Sequence, residues 1–294
     1  MMREKKRRFI FGVMVTILTS FYISACDSSF EPLQENGQYH FSIFGALDHS
    51  ADTQWVRVMP MMGTRFLETP TPIDARVTLT EKSSGNVIVL NDSLFQYSNN
   101  VYAWSFWTPE PINDNEEYTL TAEASDGRKS SATVTIPPDY PTPVVDYSET
   151  QEKGTIVGSG IERMVVAETK YLAQIMTDAG LSPESEVVIS HLERVSYTSS
   201  GIFRFFPNDI SIIANEFNVP GGSVVINNRE VLVVSGSTEW PDFNDMSEEE
   251  VYLLEVNSNV ENGLGVLAGI VSKRFPLKSC YDEEDELIAC PLLQ

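Results

Sequence analysis

Three cysteines are the residues best suited to covalent chemistry in this sequence of 294 residues. Cys280 and Cys290 enclose five carboxylates at residues 282–286, and two thiols this close in an oxidising compartment are expected to form a disulfide. A redox-active or metal-binding thiol pair is the weaker alternative, because Lys278 is the one basic residue nearby that could activate a thiol. The sequence therefore predicts a Cys280–Cys290 disulfide and no metal at these thiols.

Cys26 ends a segment that is typical of a secretory signal. Five basic residues within positions 3–8 precede an uncharged apolar run at residues 9–22, which is shorter than the roughly 20 residues that a membrane-spanning helix needs. Residues 23–26 read Ile-Ser-Ala-Cys, which resembles the bacterial lipobox, where the cysteine sulfur carries a diacylglycerol after cleavage. We therefore expect a lipoprotein signal peptide at residues 1–25 and a lipid on Cys26 that holds the mature chain on a membrane. An ordinary signal peptide followed by an unrelated cysteine is the alternative.

Side chains that could catalyse a reaction or bind a metal are few and scattered. His40, His49 and His191 have no spacing that would place two imidazoles on one helical face, and neither a nucleophile elbow nor a phosphate-binding glycine loop occurs. Acidic clusters at residues 113–117 and 282–286 could supply oxygen ligands to calcium, but they lack the spaced ligands and glycine of a dedicated loop. We therefore predict no catalytic site, no cofactor and no metal site, with a cryptic hydrolase as the alternative.

The charge balance restricts the class of partner. The chain has 42 acidic and 20 basic residues and a formal net charge of −22, which disfavours nucleic acid and anionic headgroups. Its 42% hydrophobic and 10% aromatic content is typical of a folded chain with a real core rather than a disordered one.

Apolar and polar residues alternate through residues 38–137, which predicts a series of short strands. Single strands are predicted near residues 40–44, 54–59 and 101–107. Two hairpins are predicted from their turn residues, at 77–90 and at 118–136. About seven strands of this kind predict an immunoglobulin-like β-sandwich, and Tyr118 stands where such folds keep a corner tyrosine.

One aromatic stripe offers two interpretations. Tyr102, Trp104 and Phe106 share a face of the strand predicted at residues 101–107 and could stack on a sugar or a peptide. Such a stripe is more commonly part of a sandwich core. Trp55 and Trp107 leave the same two interpretations open.

The second half of the chain is also rich in strand patterns. Four prolines within residues 137–143 favour an extended spacer, so we predict a tether at residues 26–37, a linker at residues 138–158 and a second β-rich domain at residues 159–294. Residues 164–176 fit a strand or a helix, and neighbouring strands favour a strand.

Three further elements are predicted within residues 159–294. Asn227 and Asn228 predict the turn of a tight hairpin, since both tolerate positive φ. Asp209 and Ser247 predict the caps of two short helices. The predicted fold class is mostly β, with an N-terminal immunoglobulin-like β-sandwich followed by a second β-rich domain that has one or two short helices.

Several motifs together resemble a known family. They are the lipobox, Ala-Arg-Val-Thr-Leu at residues 75–79, Tyr-Thr-Leu-Thr at 118–121 ahead of Asp-Gly-Arg at 126–128, the proline-rich exit, and residues 258–266 with Asn262 where a first glycine is usual. In these respects the chain is similar to the Bacteroidota outer-membrane lipoproteins called domain of unknown function 4249.

The resemblance implies an outer-membrane lipoprotein, of a kind often encoded near TonB-dependent receptors, without catalytic residues to carry over. We therefore expect a non-catalytic binding or accessory subunit of an outer-membrane uptake or envelope assembly, with a structural adhesin as an alternative. The side of the outer membrane stays open, because Asp27 after the cysteine is interpreted differently by different bacterial sorting systems.

Overall fold

The computed structural model describes residues 39–61, 72–98, 101–146, 154–240 and 258–277, together with the backbone of two short strands near the C-terminus. Within these ranges the chain is almost entirely β-strand, with one short α-helix. The predicted mostly β fold class is therefore confirmed.

The first eight strands form a sandwich. In chain order they are β1 (Phe41–Asp48), β2 (Gln54–Pro60), β3 (Arg76–Glu81), β4 (Val87–Val89), β5 (Asn91–Ser98), β6 (Val101–Thr108), β7 (Glu117–Glu123) and β8 (Lys129–Thr135). One sheet contains the order β1-β2-β6-β5 and the other contains β8-β7-β3-β4. This is the strand distribution of an immunoglobulin-like fold, as the sequence predicts. Alternate residues of both sheets, such as Val56, Leu79 and Leu120, fill the core between them.

Tyr118 makes the predicted corner contact. Its ring is buried at the start of β7, and its hydroxyl accepts a hydrogen bond from the backbone N–H of Asn113 at 3.0 Å. The same hydroxyl donates to the carboxylate of Glu81 at 3.1 Å, so it has partners in both roles. Burial raises the pKa of the Tyr118 hydroxyl and keeps it protonated as a donor.

The described residues after Thr135 add twelve strands. They are β9 (Val144–Asp146), β10 (Thr155–Ser159), β11 (Met164–Thr177), β12 (Gly180–Leu181), β13 (Ser185–Ser190), β14 (Ser196–Tyr197), β15 (Ile202–Phe205), β16 (Val224–Gly236), β17 (Val260–Glu261), β18 (Gly263–Pro276), β19 (Cys280–Tyr281) and β20 (Leu287–Ile288). Helix α1 (Ile210–Glu216) lies between β15 and β16, and 3₁₀ turns occupy Leu192–Arg194 and Gly221–Ser223. The ambiguous segment at residues 164–176 is a strand, as favoured.

Strand β18 joins the two halves of the chain into one sheet. It pairs in parallel with β1 from Phe41 opposite Gly263 to Asp48 opposite Ile270. Its other edge pairs with β16, which in turn pairs with β11. Strand β17 meanwhile pairs with β8 in the opposite sheet. Both sheets of the sandwich therefore continue into the second half, and residues 38–294 form one compact unit.

The prediction of two domains separated at residues 138–158 is accordingly corrected. Tyr140 is buried, and its hydroxyl donates to the backbone oxygen of Val233 in β16 at 2.7 Å. Asp139 pairs with Lys273 of β18 at 2.7 Å. Prolines remove ladder hydrogen bonds but leave neighbouring side chains able to pack, so Asp139 and Tyr140 contact the shared sheet, and residues 144–146 pair with β10 in a further sheet.

The predicted hairpin at Asn227 and Asn228 is also wrong. Residues 224–236 form a single strand of 13 residues that pairs with β11. Leu172 lies opposite Asn228 and Ala173 lies opposite Ile226, so Asn227 is the extra residue of a β-bulge. Asparagine tolerates the backbone conformations of both bulges and turns. The pair Asn227-Asn228 therefore does not by itself distinguish a bulge from a hairpin turn.

The motif at residues 258–266 is the crossing between the two sheets. Asn262 separates β17 from β18 with a positive φ of 52°. The side-chain amide of Asn259 pairs with the backbone of Leu267 much as a neighbouring strand would. It donates to the backbone oxygen at 2.7 Å and accepts a hydrogen bond from the backbone N–H at 3.0 Å. Gly265 has φ of 123°, and a methyl group there would lie 1.9 Å from the backbone oxygen of Ile43. The motif thus serves the strand crossing and the close approach of β18 to β1.

Candidate functional site

Three aromatic side chains meet on the outer face of the β1-β2-β6-β5 sheet. Trp55 of β2 stacks on Trp107 of β6, with ring centroids 5.8 Å apart and planes inclined by 29°. Phe95 of β5 meets Trp55 edge-on at 5.4 Å. Trp55 is 43% exposed and Phe95 is 41% exposed, so this aromatic cluster, defined as Trp55, Phe95 and Trp107, presents apolar surface to solvent.

The sheet itself positions the cluster. Trp55 and Trp107 are direct cross-strand neighbours, while Val56 and Phe106, one residue away in each strand, form the next pair and point into the core. The indole N–H of Trp107 donates directly to the hydroxyl of Ser93 at 3.1 Å, which orients that ring. Rings held in this way by three paired strands form a preorganised surface.

A cation lies next to the cluster on the same face. Arg57 follows Trp55 by two residues in β2, and its guanidinium carbon lies 5.1 Å from the ring centroid of Phe44, its cross-strand partner. Within the part of the chain that the structure describes, no carboxylate forms an ion pair with Arg57. The outer face therefore combines exposed aromatic rings with an arginine that no acid neutralises there.

The stripe predicted as a stacking surface lies on the opposite face of β6. Phe106 is 3% exposed and belongs to the core, and Trp104 packs against that core. Tyr102 is partly buried on the same side of the strand. The ligand-stacking interpretation therefore fails for Phe106, and the exposed aromatic rings are Trp55 and Phe95, with Trp107 half-buried beside them. Phe95 was missed, because residues 91–98 are mostly polar and predict no strand.

A second group of polar side chains is buried beneath helix α1. The Nε2 atom of His191 lies 3.0 Å from the hydroxyl of Thr169 and 3.2 Å from Oδ2 of Asp209. Tyr171 donates to the same Oδ2 at 2.6 Å, and Arg194 donates to Oδ1 at 3.1 Å. His191, Thr169 and Asp209 are almost completely buried. We call these five residues the Asp209 network.

The geometry of the network does not match nucleophilic catalysis. A catalytic histidine contacts the nucleophile through one ring nitrogen and its orienting carboxylate through the other. In His191 both contacts are made by Nε2, and Nδ1 has no partner among the described residues. We assign the proton to Nε2, since that nitrogen faces a carboxylate, and this leaves Nδ1 as an unprotonated lone pair in the interior.

The charges in the network are set by burial and hydrogen bonding together. Burial by itself raises the pKa of Asp209, but hydrogen bonds from His191, Tyr171 and Arg194 lower that pKa further, so the net shift is downward. Burial and the hydrogen bond to Asp209 raise the pKa of the Tyr171 hydroxyl. Asp209 is therefore an anion with its acceptors in use, which identifies a structural role.

Asp209 also departs from its predicted role. Helix α1 begins at Ile210, as predicted, but the Asp209 side chain makes no capping hydrogen bond. Its carboxylate turns into the network. A cavity of about 160 Å³ adjoins it, lined in part by Tyr171, Asp209 and Arg229.

The acidic cluster at residues 113–117 is occupied by contacts within the sandwich. Glu116 accepts the backbone N–H of Ser83 at 3.0 Å, and Glu117 pairs with Lys82 at 2.7 Å. Hydrogen bonds from Ser83 lower the pKa of Glu116. Across the described ranges, no group of three histidine, cysteine or acidic side chains is placed to hold a metal ion. The cluster at residues 282–286 lies outside the described residues.

Of the three cysteines, only Cys280 lies among the described residues. Cys26 and Cys290 lie outside the described residues, as do the signal peptide, the tether and the helix predicted after Ser247. Cys280 lies in β19 opposite Ile288 of β20, so the backbone of this hairpin comes within two residues of Cys290. The disulfide stays a prediction. In the described part of the chain, no helix has the length and apolar character to cross a membrane.

The fold and this face together define a β-sandwich protein with an exposed aromatic cluster. No protein-family model matches the sequence. No curated protein matches it either. Two crystal structures of pullulanase from Anoxybacillus sp. LM18-11, one of them complexed with maltotriose, are similar over 66% of this chain at 9% identity, with TM-scores of 0.23 and 0.21. The chain spans 24% of the length of those pullulanase chains, and likeness at this level identifies no function.

Proposed function

We propose that this chain is a lipid-anchored envelope protein that binds a ligand without catalysis, as an accessory subunit of an outer-membrane uptake assembly of the TonB-dependent-receptor type. The observation that carries the proposal is the aromatic cluster. Exposed aromatic rings beside an arginine are the composition of recognition surfaces, where these residue types are enriched. The resemblance to Bacteroidota lipoproteins supports the choice of partner.

The anchor is the first part of the proposal to test. Cys26→Ser is expected to abolish incorporation of labelled palmitate and to move the protein from the membrane fraction to the soluble fraction, because the sulfur that carries the lipid is lost. Cys280→Ser serves as the matched control and should keep the label. The anchor is disproved if the wild type takes up no label and Cys26→Ser still fractionates entirely with membranes.

The partner is tested by affinity purification of the full-length tagged protein from detergent-solubilised membranes. We expect a TonB-dependent receptor to be recovered with the wild type at constant stoichiometry across detergents. Recovery of no stable partner would contradict the accessory role and favour the structural adhesin.

A further inference from the structure

The outer sheet face offers an elongated strip of contacts. Phe44, Arg57, Trp107 and Phe95 lie on β1, β2, β6 and β5, which are consecutive neighbours in the sheet. Three gaps of about 4.8 Å between strands make this strip roughly 14 Å long across the sheet. This length suits a chain of several linked rings better than a single small molecule.

The exposed groups along the strip have complementary chemistry. The faces of Trp55 and Phe95 carry partial negative charge, which attracts the slightly positive C–H groups on the flat face of a pyranose ring. Asn91, on the edge strand opposite Trp107, is exposed, and its amide has no hydrogen-bond partner in the part of the chain the structure describes. A polar amide at the rim of an aromatic surface can bond to sugar hydroxyls.

Charge narrows the class of sugar. The chain has a net charge of −22, so an anionic ligand is repelled unless the site supplies a local cation. Arg57 is such a cation, lying on Phe44 beside the cluster with no acidic partner among the described residues. The planar fork of a guanidinium matches a carboxylate with two parallel hydrogen bonds.

Resting on the proposed binding role, we infer that this strip binds an acidic oligosaccharide, with a pyranose ring on Trp55 and Phe95 and the carboxylate of a uronic acid on Arg57. A bilayer is the less suitable occupant, because the rings lie along the middle of strands on a sheet face instead of projecting from a loop tip. An acidic peptide lacks the flat C–H faces that the stacked indoles suit.

The test is calorimetric titration of the purified mature protein with an oligogalacturonate and with the same oligosaccharide as its methyl ester. The ester keeps the ring faces and removes the charge. We expect the wild type to bind the acid about tenfold more tightly than the ester, which is the ratio that a charge-assisted pair of about 1.4 kcal/mol gives. An acidic peptide and anionic lipid vesicles are titrated in parallel.

Two variants separate the roles of ring and cation. Trp55→Ala should weaken binding of both sugars about tenfold or more, and Arg57→Gln should remove the preference for the acid while keeping affinity for the ester. Matched controls are Tyr197→Ala, another exposed aromatic, on β14, and Arg128→Gln, an exposed arginine paired with Asp126. Both controls should bind like the wild type, and unchanged thermal unfolding midpoints verify folding.

Several results would overturn the inference. They are no binding of either sugar, equal affinity of the wild type for acid and ester, or binding of the acidic peptide or the vesicles that Trp55→Ala abolishes. Recovery of a receptor in the affinity purification together with absent sugar binding leaves the proposed function intact and rejects this ligand. Sugar binding with no recovered receptor rejects the accessory role and keeps the ligand.

Discussion

Asp209 shows how a charge is accommodated in the interior of this protein. A carboxylate removed from water costs several kcal/mol unless hydrogen bonds and opposite charges compensate. Both oxygens of Asp209 have partners, with Tyr171 and His191 at Oδ2 and Arg194 at Oδ1. These partners come from β11 and from the turn after β13, and Asp209 itself precedes helix α1, so one carboxylate connects three parts of the chain.

We predict that Asp209→Ala strongly destabilises the fold. The substitution removes the charged acceptor of the buried Tyr171 hydroxyl and His191 N–H, which keep only the backbone oxygen of Pro207 at 3.3 Å and the hydroxyl of Thr169 at 3.0 Å. Hydrogen bonds to a charged group contribute about 1.5–3 kcal/mol each, so we expect the free energy of unfolding to fall by about 3 kcal/mol or more. Urea denaturation followed by tryptophan fluorescence measures this change. Asp126→Ala removes an exposed partner of Arg128 and should change the free energy by no more than about 0.5 kcal/mol. Equal small effects of both variants would show that the network contributes little.

The downward shift of the Asp209 pKa predicts that the free energy of unfolding depends on pH in the acidic range. Because the carboxyl group ionises more readily in the folded protein than in the unfolded chain, its contribution is complete above its ordinary pKa and is lost as the pH falls through the folded-state value. The difference in unfolding free energy between wild type and Asp209→Asn should therefore shrink on acidification below that ordinary value. A difference that stays constant from neutral to acidic pH would contradict this. Titrating groups outside the Asp209 network act equally in both proteins and cancel.

The candidate site could be predicted from the sequence only in part. Alternation assigns Trp104 and Phe106 to one face of β6 and Trp107 to the other, but it does not say which face is buried when both carry aromatic rings. Trp55 and Trp107 are therefore candidates for ligand stacking from the sequence alone, with a core position as the alternative. Phe95 joins them only through the pairing of β5 with β6, which no local pattern in its polar strand indicates.

At the scale of elements, the hairpins of the sandwich were predictable and the long-range pairings were not. The turns after Glu81 and after Glu123 contain glycines with positive φ, Gly85 and Gly127, so the sequence itself marks where the chain reverses. The parallel pairing of β18 with β1 joins residues more than 200 positions apart, and a period-two pattern does not identify its partner. Because the sequence does not show that β18 pairs with β1, it predicts two separate domains where the structure has shared sheets.

The close approach of β18 to β1 gives a prediction at this scale. Gly265→Ala would place a methyl group 1.9 Å from the backbone oxygen of Ile43, in a region of φ that L-residues rarely adopt, so β18 cannot keep its register. We expect a loss of about 3 kcal/mol or more in the free energy of unfolding, measured by urea denaturation. Gly222→Ala is the control, since no atom lies within 4 Å of the added methyl group. A fully stable Gly265→Ala variant would contradict the pairing of β18 with β1.

The whole molecule depends on these shared strands, because they cover edges that a free sandwich would expose. Strand β18 covers the edge of β1, and β17 covers the edge of β8. An uncovered edge presents unpaired backbone groups and invites aggregation. The hydroxyl of Tyr140, on the segment that follows the sandwich, further secures the two halves through the oxygen of Val233.

We therefore predict that the mature protein unfolds as one cooperative unit even when its chain is cut. A specific protease site introduced between residues 146 and 154 should yield two fragments that co-elute in size-exclusion chromatography and melt in a single transition, because β1 and β18 remain paired across the cut. Separation should require denaturant. Two fragments that elute apart and melt independently would instead restore the two-domain organisation. The same site at the start of residues 26–37 is the control, since a cut there divides neither sheet and should leave the transition of the uncut protein unchanged.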